Sequence, residues 1–461
     1  MAELIPVVVE LDGALLSSSL SWEHWLFSIK QHVLTILQKI SAAPLQKSSF
    51  DVSTLPYDEA VLSILREEHA KGRSIILLTS NNFSLAMKIA EFLKCISEVK
   101  DISHLSQQEI TANLKQEFGY HGFDIIVHNE TSMMLSEIAN KSFLVKPSNK
   151  AIVYTQHGKH IKTISEPNKS PMQDWLYELR LHQWVKNFLI FIPLLTSHQV
   201  SLTTLGYAMM AFLLFGCCSS SAYLLNDLLD LAADRVHKTK RNRPFAAGRL
   251  AISTGLIISP TLLLIAIIVA SLVLPTNFLV VLLVYYVVTL AYSLFLKRYM
   301  AIDVVVLAIL YTLRIVAGGA ALSIVLTSWI LAFAIFIFLS LALVKRYIEL
   351  NDAQLTGENT KVKGRGYYAS DLSMIAALGA AAGYLSVMVL ALYINSPQVA
   401  KLYSHTEIIW LACPILLFWV TRLWFLAHRG ELHSDPVVFA IKDRVSLLAG
   451  GLFILVFGIA I

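Results

Sequence analysis

Three aspartates, Asp227, Asp230 and Asp234, are followed at once by a run of cations: Arg235, His237, Lys238, Lys240, Arg241, Arg243 and Arg249. Residues 226–248, NDLLDLAADRVHKTKRNRPFAAG, close a long apolar run. Spacings of three and four residues put the carboxylates on one face of a helix. Three anions on one face repel unless a cation sits among them, and a divalent metal is the usual answer. Mg2+ prefers oxygen ligands and keeps part of its water shell, so one or two carboxylates per ion suffice. The cations that follow suit a polyanion such as a diphosphate. The segment therefore predicts metal-assisted departure of a diphosphate. Asp227, Asp230 and Asp234 are the expected metal ligands and catalytic groups. Arg235, Lys240, Arg243 and, further back, Lys186 are expected to bind the substrate's remaining charge.

A second charged loop has complementary content. It holds Lys345, Arg346, Glu349, Asp352, Lys361, Lys363, Arg365, Tyr367, Tyr368 and Asp371. Arg314 lies inside an apolar run, where a cation is costly unless it is paired or faces a polar cavity. We read it as contacting a substrate phosphate; an ion pair with another span is the competing reading. Asp303 lies three turns away on roughly the same face, and Tyr311 one turn away. Lys297 and Arg298 suit substrate contacts and topology anchors equally.

These residues must be held by membrane elements. The chain has 461 residues, 56% of them hydrophobic and 15% charged, too apolar for a soluble protein. Apolar runs of membrane-spanning length dominate from Trp175 onward. Nine spans are expected, near 186–203, 205–226, 251–273, 277–296, 301–321, 327–346, 371–394, 406–427 and 445–461. The loops between them alternate between strongly basic and neutral or weakly basic, as the positive-inside rule requires. The charged chemistry is thus expected on the cytoplasmic side. The net charge of +5 follows from those loops, not from nucleic-acid binding. Cys95, Cys217, Cys218 and Cys413 have no metal-ligand spacing and predict no disulfide framework. MAELIPVVVELDG reads as a buried strand, not a signal peptide, which keeps the N-terminal domain cytoplasmic. Residues 1–165 read as a soluble α/β domain, 166–180 as linker and interfacial segment, and 181–461 as an all-α membrane bundle. Lys146, Lys150, Lys159, Lys162 and Lys169 near the linker could meet anionic headgroups or simply be solvated.

The first motif resembles that of the UbiA-type intramembrane prenyltransferases, where NDxxDxxxD precedes an Arg, a His, a Lys and an Arg-Pro pair. The matching residues are Asn226, Asp227, Asp230, Asp234, Arg235, His237, Lys240, Arg243 and Pro244, with Lys238 where a Pro is usual. The second loop lacks the common DxxxD and reads KRYIEL, then RGYYASD. That form resembles the decaprenyl-phosphate phosphoribosyltransferase branch of mycobacterial cell-wall synthesis. So do LRLHQWVKNFLIFIPLL, with Asn187, AYSLFLKRYMAIDVVVLAILYTLRIVAGGAA, with Tyr292, and RLWFLAHRGELHSDPVVFAIKDR, with Arg422, His433, Asp435, Asp443 and Arg444; the resemblance implies that Asn226, Asn187 and Tyr292 bind substrate. The resemblance covers essentially all of residues 174–461. It implies Mg2+-dependent transfer of 5-phosphoribose from phosphoribosyl diphosphate to a polyprenyl phosphate in a bacterial inner membrane. Transfer of a prenyl group to an aromatic or other small acceptor is the alternative, and a transporter is a third reading. The transporter would need internal repeats, and none is clear. Several assemblies, a homo-oligomer included, are compatible.

VVVELDGALL resembles the first motif of haloacid dehalogenase-like phosphatases, usually DxDGT. Glu10 stands where the nucleophile belongs, Asp12 at the general acid and Ala14 where Thr is common. SIILLTSNN supplies Thr79 for the second motif. The expected Lys falls on Ile110 and the expected acids on Asn129 and Met133, with Glu130 the neighbouring carboxylate. An additional methylene at the nucleophile misplaces it for in-line attack. The resemblance implies a Rossmannoid α/β fold that has lost phosphatase activity.

Overall fold

The computed structural model describes residues 4–41, 49–128, 133–145, 161–165, 171–198, 200–237, 239–355, 365–397, 399–432 and 435–461. Lys146, Lys150, Lys159, Lys169, Asn129, Glu130, Lys238, Lys361, Lys363 and His433 lie outside the described residues. Two compact units emerge: Met1–Leu179 with Tyr223–Ser259, and Arg180–Ala222 with Pro260–Ile461. The aspartate-rich segment thus groups with the N-terminal residues, although it follows an apolar run.

In the first unit the N-terminal chain alternates strand and helix. It runs β1 Val7–Glu10, α1 Leu20–Ser41, α2 Glu59–Ala70, β2 Ile75–Thr79, α3 Phe83–Leu93, β3 Glu98–Asp101, α4 Gln107–Phe118, β4 Asp124–Val127, α5 Met133–Ile138, β5 Ser142–Val145, β6 Ile161–Ser165 and α6 Pro171–Glu178. The strands form one parallel sheet in the order β3-β2-β1-β4-β5-β6. Continuous apolar runs such as VVV and IILL suit strands covered on both faces. Side chains alternate between two cores. Val7, Val9, Ile75 and Leu77 pack with Val61 and Leu65 of α2 and Leu85 of α3. Val8, Ile76 and Leu78 pack with Ile110 and Leu114 of α4. Helix starts are set locally: Asp58 caps α2, and Ser106 with Glu109 forms a capping box on α4. The α/β expectation for the N-terminal residues therefore holds.

The membrane helices that follow are α7 Ile192–Thr196, α8 Leu202–Leu229, α9 Leu231–Val236, α10 Ile252–Val273, α11 Thr276–Leu294, α12 Ile302–Leu322, α13 Ser328–Leu355, α14 Leu372–Ile394, α15 Val399–Leu402, α16 Thr406–Ile409, α17 Ala412–His428, α18 Pro436–Lys442 and α19 Arg444–Ala460. Among the described residues seven helices are long and apolar enough to cross a membrane, or eight if α18 and α19, bent by 85°, form one span. The expected nine spans are corrected at the first. Among the described residues of 186–203 there is no regular spanning helix: Leu181–Phe191 is a 3-10 stretch, followed by the five-residue α7. Pro193 lacks the N–H that a continuing α-helix would bond back to Leu189, so a regular helix through this point is disfavoured. The stretch instead threads among other helices of the second unit. Trp184 Nε1 donates to Ser220 Oγ at 3.0 Å. Phe188 packs on Phe212, with ring centroids 5.2 Å apart. These contacts make the stretch antiparallel to α8. Its backbone also meets α12 at Gly318, where a Cβ would fall 2.1 Å from the Ile190 carbonyl oxygen. Irregular backbone at membrane depth is tolerated only when buried in protein or lining a polar cavity. Lys186 and Asn187 lie on this stretch, both buried.

Candidate active site

In the first unit, α8 ends at Leu229 and α9 begins at Leu231, with Asp230 at the junction. Asp227 and Asp234 converge on one nitrogen: Arg243 Nη1 donates to Asp227 Oδ1 at 2.8 Å and to Asp234 Oδ2 at 2.6 Å. Both aspartates are buried, at 2% and 4% exposure. Asn226 Nδ2 donates to Asp227 Oδ1 at 3.3 Å, and Lys240 Nζ lies 3.9 Å from Asp234. Burial pushes the Asp234 carboxyl up, with Arg243 and Lys240 pulling the other way. Asp230 does not join this pair; its Oδ1 lies 3.6 Å from Lys30 Nζ. Among the described residues no three His, Cys, Asp or Glu side chains gather closely enough to hold one metal ion. The expected three-carboxylate face is corrected to a pair plus one. The physical reason is the helix break at Asp230 (φ −98°, ψ 9°), which interrupts the shared face. The pair still fits Mg2+: two buried carboxylates already turn their oxygens toward one cationic centre.

Arg235 is turned elsewhere. Its guanidinium meets Glu23 on α1, with Nη2 to Oε1 at 2.6 Å and Nη1 to Oε2 at 3.1 Å. The expected substrate contact is replaced by this buried ion pair.

In the second unit two charged clusters share α13. Asp435, the N-cap of α18, accepts from Lys186 Nζ at 2.6 Å, and Lys345 Nζ and the Tyr311 hydroxyl lie 3.5 and 3.4 Å away. Burial would raise the Asp435 carboxyl, but Lys186 and Lys345 hold it below the usual carboxylate range. One residue along α13, Arg346 Nε lies 2.8 Å from Asp303 Oδ2, both side chains being almost wholly buried. Asp303 Oδ1 accepts from the Tyr292 hydroxyl at 2.8 Å and from Arg365 Nη1 at 3.4 Å. Glu349 pairs with Arg346 and, at 3.4 Å, with Arg365. Arg346 Nη2 and Asn187 Nδ2 are buried donors without a hydrogen-bond acceptor among the described residues. Among the described residues, four cations, Lys186, Lys345, Arg346 and Arg365, therefore face three carboxylates, Asp435, Asp303 and Glu349. Such an excess of donors, with Lys186 and Arg346 buried, fits a phosphate.

A family model described as the UbiA prenyltransferase family matches residues 188–440. This chain belongs to that family. It is a multi-pass membrane protein of a transferase family. Among relatives of this UbiA-family chain, "Uncharacterized protein y4nM" of Sinorhizobium fredii is 34% identical, covering 97% of this chain and 89% of that protein. "Nodulation protein NoeC" of Azorhizobium caulinodans is also 34% identical, over 61% of this chain and 91% of that one. "Decaprenyl-phosphate phosphoribosyltransferase" of Mycobacterium tuberculosis is 30% identical, over 65% of this chain and 97% of the relative.

The remaining expected site residues of this UbiA-family chain take other places. Arg314 is engaged by neighbours within the second unit. Its guanidinium donates to Asn187 Oδ1 at 3.1 Å, to the Tyr285 hydroxyl at 3.0 Å and to the Leu310 carbonyl at 2.6 Å. It also lies 5.1 to 5.6 Å from the ring centres of Tyr285, Tyr311 and Phe215. Local hydrogen bonds and cation–π contacts thus satisfy it. Asp371 accepts from the Tyr368 backbone N–H at 2.9 Å, so this pair shapes a helix start. Lys297 sits half-buried in the 3-10 turn Leu296–Arg298. The clusters bring in Asp303, Tyr311 and Asp435, absent from the expected site list. Asp435 could have been found from its signal as an acid one residue before a helix-opening proline.

Proposed function

We propose that this protein transfers 5-phosphoribose from phosphoribosyl diphosphate to a polyprenyl phosphate, with Mg2+. The observation that carries the reading is the cation-rich second site. Where a second acidic motif would stand, the end of α13 supplies Lys345 and Arg346, expected in a loop but helical, and the segment after it supplies Arg365, with Lys186 added from the 3-10 stretch. An anionic acceptor needs such donors; an aromatic or other small neutral acceptor does not. The 30% identity to a decaprenyl-phosphate phosphoribosyltransferase over nearly its whole length supports the same choice.

Asp227 and Asp234 would hold the metal, with Arg243 displaced from between them. When bound, Mg2+ neutralises the diphosphate and makes it a competent leaving group. Arg243 and Lys240 then take the diphosphate charge that remains. Lys186, Lys345 and Arg346 orient the lipid phosphate, and Asp435 and Asp303 keep those cations in register. A lipid phosphate oxygen forms the bond to ribose C1 as the bond from C1 to diphosphate breaks, the electron pair leaving with diphosphate. The acceptor oxygen is already anionic, so no strong general base is needed, and C1 inverts. The active site and the N-terminal domain belong on the cytoplasmic side of a bacterial inner membrane.

We read the N-terminal domain as a haloacid dehalogenase-like fold without phosphatase activity. Ile110 is core, and Asp12 Oδ1 is engaged by the Leu20 N–H at 2.8 Å.

The test is direct. Purified protein with Mg2+, phosphoribosyl diphosphate and a polyprenyl phosphate should yield a phosphoribosylated lipid. Turnover of a prenyl diphosphate with an aromatic or other small acceptor, and no phosphoribosylated lipid, would overturn the reading.

A further inference from the structure

Helix α1 of the N-terminal domain touches the aspartate-rich segment at two charged points within the first unit. Glu23 takes Arg235 in the two-point pair described above, and the two side chains are 5% and 8% exposed. Ser18 Oγ donates to Glu23 Oε1 at 2.6 Å, which fixes the carboxylate. The same guanidinium donates through Nε to the Ala246 carbonyl at 3.0 Å and through Nη1 to the Thr54 carbonyl at 3.5 Å. Arg235 thereby joins α9, the turn after it and the N-terminal domain. Two turns along α1, Lys30 Nζ donates to the Leu229 carbonyl at 2.5 Å and lies 3.6 Å from Asp230. A cation on the last carbonyls of a helix is electrostatically favoured. The turn also seats closely on the domain: at Gly248 (φ +69°) a Cβ would fall 2.6 Å from the Ser17 Cβ.

These contacts are placed where they matter for chemistry. Arg235 follows Asp234 directly, and Leu229 and Asp230 form the helix break that separates the Asp227–Asp234 pair from Asp230. A buried ion pair is a weak source of stability, because desolvation offsets the attraction. It is strong as a geometric constraint, because either partner alone is costly to leave buried.

We propose that α1 is the positioning element of the aspartate-rich segment, with Glu23 and Lys30 as its positioning residues. The N-terminal domain is then a working part of the transferase through the orientation it imposes on Asp227 and Asp234, not through any reaction of its own. The proposal rests on the diphosphate-holding role given to those aspartates above.

The test uses the full chain in detergent and Mg2+–pyrophosphate as probe. That probe is the product of phosphoribosyl and prenyl transfer alike, so an error in the acceptor leaves the test intact. Glu23→Gln and Lys30→Gln should each weaken Mg2+–pyrophosphate binding by roughly tenfold, the scale of a lost charged hydrogen bond. Amide exchange across residues 229–237 should accelerate in both. Glu23→Arg combined with Arg235→Glu should recover part of the affinity. Arg73→Gln, which breaks the largely buried pairs with Glu68 and Asp124 away from the aspartate-rich segment, is the control for general loosening of the domain. Wild-type affinity in Glu23→Gln and Lys30→Gln would overturn the proposal. An equal loss in Arg73→Gln with no recovery in the swap would overturn it as well. If the wild type itself failed to bind the probe, the diphosphate reading would fall and this one with it.

Discussion

Asp227 and Asp234 share one arginine nitrogen, and that geometry sets the sharpest residue-level expectation. Asp227→Asn or Asp234→Asn should lower transfer by a hundredfold or more, since metal charge stabilisation is worth about several kcal/mol. Glu10→Ala should leave transfer within about twofold, because Glu10 sits in the N-terminal sheet and outside the transfer chemistry. Product formation by the phosphoribosyl assay checks both. Arg346 and Asp303 give a stability expectation. Both are almost fully buried, so Arg346→Met takes the nearest cation from a buried carboxylate, leaving Tyr292 and the more distant Arg365, and should cost about 3 kcal/mol. Adding Asp303→Asn should restore part of it, read by thermal unfolding in detergent. The acids of the first motif were legible because their spacing and the bases after them are local. Which acid meets which base was not. Nothing near Arg235 in the chain announces Glu23, 212 residues away.

The aspartate segment and the 3-10 stretch Leu181–Phe191 were the elements hardest to read. Hydropathy marks the 3-10 stretch and α7 as apolar, and an apolar run predicts a helix. Proline and the close approach to Gly318 decide otherwise. Gly318→Leu would drive a side chain into the Ile190 carbonyl. It should destabilise by about 1–3 kcal/mol through overpacking. It should also lower transfer more than a change of equal stability cost on the far side of the bundle, because Lys186 and Asn187 ride on the displaced stretch. Paired unfolding and activity measurements separate the two effects. Most of the long helices were read nearly to their ends, since length and apolarity alone demand them in lipid, whereas α13, expected over 327–346, runs Ser328–Leu355 because its charged last turns lie outside what hydropathy reports.

The whole molecule is a fusion of a parallel α/β sheet with a UbiA-family membrane region. The alternation of basic and neutral loops predicts its topology. In a chain without native cysteines, a cysteine at Asn242 should react with impermeant reagent only from the cytoplasmic side. One at Ile324 should react only from the opposite side. Removal of Mg2+ by a chelator should abolish transfer and leave thermal unfolding nearly unchanged, since the folded core is built from apolar packing and not around the ion.

Sequence by itself determined the class of this protein. Apolar runs, loop charge and the order of acids and bases are near-neighbour properties, and each stretch carries its own share of the transfer free energy into lipid or a sheet core. Tertiary structure decided how the charges are spent. It divided the three aspartates at the Asp230 break, satisfied Arg314 with Asn187 and aromatic rings, and gave Arg235 to Glu23. It also assembled Lys186, Lys345 and Asp435 from distant parts of the chain. Electrostatic pairing acts over a few ångströms of space and ignores distance along the chain. Periodicity therefore predicts which residues are charged and on which element, and only the fold selects their partners.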